Sequence, residues 1–148
     1  MIGMEILKPV VALLAWTMVM WVWMYATRIP AMMKAGMDAK SLVGTTGASL
    51  RAQLTEKVSW KADNYNHLHE APTLFYAVAI VLAVIGQGDG INAIIAWAYV
   101  ALRIAHSLVQ ATINKVAIRF ALFALSSLAL MVLIFHAAIP VFDLHLGG

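Results

Sequence analysis

Apolar residues dominate four stretches of the chain, and polar stretches separate them. Each apolar stretch approaches the roughly 20 residues that cross a bilayer as a helix. The pattern predicts membrane-spanning helices over residues 9–27, 64–86, 91–113 and 117–139, with a polar loop over residues 28–60. The second run is short if it starts at Ala71. It reaches full length only when the helix begins near Asn64, which draws Glu70 about two turns inside it. The first run exceeds the roughly 7–15 residues of a signal-peptide core and no A-x-A site follows, so it reads as an uncleaved span. Trp21, Trp23 and Tyr25 close it, where interfacial aromatics belong.

Inside the loop, GTTGAS at residues 44–49 is rich in turn formers, and Ser49 suits a helix N-cap. After it, Leu50, Leu54 and Val58 recur at helical spacing among Arg51, Gln53, Glu56 and Lys57. That pattern predicts an amphipathic lead-in to the second span.

Composition narrows the class. The 148 residues are 63% hydrophobic and 11% charged, with a mean hydropathy of +0.85, which excludes an ordinary soluble domain and leaves one membrane domain over residues 1–148. With no cysteine, thiolate chemistry from the protein itself and Cys-based metal sites are excluded, so any thiol must arrive with a ligand. The net charge of +3 does not mark a nucleic-acid binder, because the basic residues lie between spans and not on one polar module. Arg28, Lys34, Lys40, Arg51, Lys57 and Lys61 fall in or beside the long loop, and Lys115 in the short turn before the last span. Only Lys8 stands on the other side, where the QGDG turn carries Asp89. The positive-inside rule then puts both basic loops in the cytoplasm and both termini outside, in the periplasm for a bacterial inner-membrane protein.

An ionisable side chain inside a span costs roughly 2.5–3.5 kcal/mol on insertion scales, so it should face protein or water. Asp63, Asn66, Glu70 and Thr73 follow steps of three and four and share one helical face, flanked by His67 and His69. In the third span Arg103, Ser107, Gln110 and Asn114 advance by four, three and four, with His106 beside them; Arg119 and Ser126 are in phase on the fourth. A buried Glu70–Arg103 ion pair with interhelical amides is one reading. A polar cavity open to the cytoplasm better explains why the polar groups all rise toward one side. His136, isolated near the outer end, reads as hydrogen-bonded structure. His69 and His106 could instead be axial ligands of a b-type haem. The residues suggest no protein metal site.

The segment NHLHEAPTLFY at residues 66–76, with ALRIAHSLVQATINKVAIR at residues 101–119, resembles the MAPEG family, the membrane-associated proteins of eicosanoid and glutathione metabolism, in a bacterial-type member. The most specific element is R-x-x-H-S from Arg103 to Ser107, with Arg119 sixteen residues after Arg103. The resemblance implies an all-α integral membrane protein, a four-helix transmembrane bundle that assembles as a homotrimer and holds glutathione between subunits near the cytoplasmic face. It implies that Glu70 meets the glutathione amine, that Arg103 and His106 form the third-helix pair, and that Arg119 lies beside the thiol. Arg51, Asn66, His67 and Gln110 complete the expected glutathione contacts. The chain departs from the family pattern at Gln110, where a tyrosine is common, and at Phe120, where some members carry serine. Asn66 also precedes Glu70 by four residues, which leaves His67 at the family's asparagine place.

A thiol with an ordinary pKa of about 8.5 is mostly protonated at neutral pH, and a neighbouring arginine favours the thiolate by charge and hydrogen bonding. Arg119 is the expected thiolate stabiliser, while Arg51, Arg103 and Glu70 match the charges of glutathione. The second substrate would be lipophilic and enter from the bilayer: an electrophile for transfer or a hydroperoxide for reduction. Gln110 could orient water or a carbonyl but cannot act as an acid. Alternatives are a non-catalytic trimer that binds a lipid or a partner, and the b-haem carrier.

Overall fold

The computed structural model describes residues 2–36 and 55–144. Five helices carry these residues, with no strand among them: α1 (Leu7–Lys34), α2 (Glu56–His67), α3 (Ala71–Val84), α4 (Ile91–Ala111) and α5 (Val116–Val141). α2 and α3 together form one stretch across the membrane, so the architecture is an all-α bundle of four spans. α1 has 28 residues, α4 has 21 and α5 has 26. Val11, Leu14, Met18 and Val22 on α1, with Leu125, Leu128, Met131 and Phe135 on α5, are exposed large apolar side chains. In water such stripes would drive aggregation; in a bilayer they face acyl chains.

The second span differs from the sequence expectation of one helix over residues 64–86. It starts earlier, at Glu56 with Thr55 as N-cap residue, and it breaks at residues 68–70 before resuming at Ala71. Pro72 is the physical reason. It lacks an N–H, and its ring would collide with the Leu68 carbonyl if the helix ran through. Glu70 therefore takes φ −96° and ψ −99° and stands at the mouth of α3 instead of two turns inside a helix. Ser49, Leu50, Arg51 and Leu54 lie outside the described residues.

α4 is the axis of the bundle. It packs on α5, α1 and α2, while α3 leans on α5 and α1. Leu13 and Met20 of α1, Phe75 and Leu82 of α3, Tyr99 and Val100 of α4 and Leu133 of α5 are buried together. Phe75 stacks on Tyr99 with ring centroids 4.4 Å apart. Lower down, Trp16 Nε1 donates to Ser107 Oγ at 3.0 Å, a polar pin between α1 and α4.

At the far end the chain entry is clamped to the α3–α4 turn. Gly3 N donates to Ala83 O (2.8 Å), Ile6 N to Gly88 O (2.9 Å) and Glu5 N to Asp89 Oδ1 (3.1 Å). The backbones approach so closely that a Cβ at Gly88 would strike the Gly3 carbonyl oxygen and come within 2.7 Å of Ile6 Cγ2. Beside this clamp His136 Nδ1 lies 2.7 Å from Asn92 Oδ1, and Asn92 Nδ2 donates to Gln87 O at 2.8 Å. His136 is thus the hydrogen-bonded structural residue expected of it.

Candidate functional site

The site lies at the opposite end, where α2, α4 and α5 meet. Tyr99, Arg103, His106 and Gln110 recur at steps of four, three and four on α4, so one face of that helix turns all four inward and all four are buried. α5 begins after a tight connection in which Asn114 adopts a left-handed φ of 50°, a conformation asparagine tolerates. Its Oδ1 accepts a 2.6 Å hydrogen bond from Arg119 Nη1, which fixes the guanidinium one turn into α5. From α2 come Asp63, Asn66 and His67, and from the break after it comes Glu70.

Two adjoining cavities result. The larger, about 390 Å³, is polar and lined by Asp63, Asn66, His67, Glu70, Gln110 and Arg119. The smaller, about 200 Å³, is lined by His67, His106, Val116, Arg119, Phe120 and Phe123. His67 and Arg119 belong to both. The His67 ring centroid lies 5.9 Å from that of His106, and His67 Nδ1 is 3.6 Å from Glu70 Oε2. The larger volume falls within the range of about 300–1,000 Å³ typical of small-ligand pockets. Its walls offer carboxylates for an ammonium, a guanidinium for an anion, and amides for a peptide backbone.

Asn66, His67, Glu70, Gln110 and Arg119 come together in the polar cavity, and His106 joins His67 and Arg119 in its neighbour. Arg103 does not line either cavity. It is 1% exposed, and its Nε and Nη1 find no hydrogen-bond partner among the described residues. The Glu70–Arg103 pair is not formed, because the break at residues 68–70 turns the Glu70 side chain outward, 66% exposed, with the His67 ring beside it. Arg51 lies outside the described residues. His69 does not face His106 as a haem pair requires: its ring packs on Tyr65 at 4.6 Å and its Nδ1 lies 2.9 Å from the Tyr65 carbonyl oxygen. Among the described residues no group of three His, Asp or Glu side chains is arranged to hold a metal.

Sequence reasoning missed the aromatic wall. Phe123 carried no expectation, and Phe120 entered only as a departure from serine. Val116, Arg119, Phe120 and Phe123 nevertheless form a stripe at steps of three, one and three, and that spacing was the available signal. The sequence profile of the MAPEG family matches residues 6–139 of the chain. Among curated proteins and among solved structures, none matches it.

Proposed function

The chain belongs to the MAPEG family, and from that premise we propose that it is a glutathione-dependent membrane transferase or peroxidase for lipophilic electrophiles or hydroperoxides. One observation carries the reading: Arg119 lines both the polar cavity and the aromatic one beside it. A thiol peptide in the first and an apolar acceptor in the second would meet at that guanidinium. Arg119, held by Asn114, favours the thiolate over the thiol by charge and hydrogen bonding, and the apolar wall of Phe120 and Phe123 strengthens both. Glu70 receives the glutathione ammonium, Asn66 and Gln110 bind its amides, and His67 sits beside the sulfur. Arg51 supplies a carboxylate contact, as the family resemblance implies. His106 shapes the acceptor cavity, and Arg103, buried behind it, sets the positive potential of the site.

The homotrimer is what the family resemblance implies, and the exposed Glu70 leaves the rim of the site open to a neighbouring copy. The reading takes residues 1–148 as one domain, in the bacterial inner membrane with both termini periplasmic, as the basic loops favour. Titration of the detergent-purified protein with glutathione, followed by thiolate absorbance at about 240 nm, tests the proposal. Binding with thiolate formation is expected, and Arg119→Gln should keep binding while losing the absorbance. No binding at millimolar glutathione overturns it.

A further inference from the structure

We infer that His67 is the base that takes the thiol proton, an inference that rests on the glutathione reading above. Arg119 can stabilise a thiolate but cannot accept a proton at any physiological pH. Gln110, standing where the family commonly has tyrosine, has no exchangeable acid or base function either. A proton acceptor must come from elsewhere, and imidazole is the side chain whose ordinary titration spans neutrality.

Geometry selects among the histidines. His67 and Arg119 are the two residues shared by both cavities, so His67 stands where sulfur and acceptor carbon would meet. His106 lines only the aromatic cavity and is buried, away from bulk water. His69 commits its Nδ1 to the Tyr65 carbonyl and lines neither cavity. The His67 side chain is 40% exposed, so it can return its proton to solvent. Its Nδ1 edge lies 3.6 Å from Glu70 Oε2, so Nε2 is the ring nitrogen without that carboxylate beside it.

The charged and titratable groups around it come from each packed element. Glu70 follows from the break and Asp63 sits one turn earlier on α2, and both line the polar cavity with it. His106 on α4 and Arg119 on α5 face it across the aromatic cavity. Lys61, on the same helix, lies over the Trp23 ring of α1. In the step itself the S–H bond breaks, its electron pair stays on sulfur and the proton goes to Nε2. Sulfur then bonds to the electrophilic carbon, whose bond to the leaving group breaks with its pair. The imidazolium returns the proton to that group or to water.

The test uses full-length protein in nanodiscs, with glutathione binding by calorimetry and thiolate formation by stopped flow. At saturating glutathione His67→Asn, which supplies the residue the family has at that place, should form thiolate about 100-fold more slowly than the parent. It should also lose the acid limb of the parent's pH profile. Added imidazole should restore part of the rate in His67→Ala, which a purely structural role for His67 would not allow. An unchanged acid limb in His67→Asn overturns the inference and leaves the glutathione reading standing, as does failure of imidazole to rescue His67→Ala. Failure of the parent to bind glutathione overturns both.

Discussion

Gly88→Ala is the sharpest test of how the bundle closes at the end away from the cavities. The new Cβ would strike the Gly3 carbonyl oxygen and sit 2.7 Å from Ile6 Cγ2. Backbone cannot yield as a flexible side chain can, so the chain entry must lift from the α3–α4 turn. Lifting it removes the Gly3–Ala83, Ile6–Gly88 and Glu5–Asp89 hydrogen bonds. Each is worth about 0.5–1.5 kcal/mol net, and the three together about 3 kcal/mol, some 100-fold in the unfolding equilibrium. Reversible unfolding in mixed micelles of rising denaturing-detergent fraction measures this. Gly3→Ala should cost about as much, because its Cβ would meet the Gly88 backbone, 2.7 Å from Gly88 Cα. The clamp opens only once, so the double variant should fall well short of the sum. A Gly88→Ala protein within about 0.5 kcal/mol of the parent would refute the reasoning.

Three further outcomes follow from the hydrogen bonds of the bundle. Trp16→Phe should lose about 1 kcal/mol in the same unfolding assay, and a cycle with Ser107→Ala should recover most of that as coupling, since the 3.0 Å bond joins the two. Asn92→Ala breaks its links to both Gln87 and His136 and should cost about 2 kcal/mol, with His136→Ala no longer additive upon it. Asn114→Gly keeps the left-handed turn but frees Arg119. Glutathione should still bind, while thiolate absorbance at saturation should fall about tenfold, the lower range for losing a charged hydrogen bond.

The four spans were legible because lipid leaves so little choice: apolar runs of the right length must be helices. The polar face of α4 was legible for the same reason, as an ionisable residue in a span must turn inward, and Arg103, His106 and Gln110 do. The break before α3 was not read, although Pro72 stood in view. Extending the helix back to Asn64 satisfied the length of a span, and that argument outweighed the local sterics of proline. The phase of Glu70 changed with it, and the ion pair with Arg103 that was one reading of the two polar faces is not formed. His67 looked secondary to Glu70 because helical periodicity placed it on the flank of the polar face. Only the shared lining of the two cavities by α2 and α5 puts it between them, and that placement has no trace in local spacing.

The unequal spans bear on where this protein can live. At 1.5 Å per residue α4 is about 32 Å long, close to the roughly 30 Å of a hydrocarbon core, whereas α1 reaches about 42 Å and α5 about 39 Å. The central helix fits the bilayer with little adjustment, and its longer neighbours must tilt around it or rise beyond the acyl region. A change in bilayer thickness therefore falls on the tilt of α1 and α5 before it falls on α4.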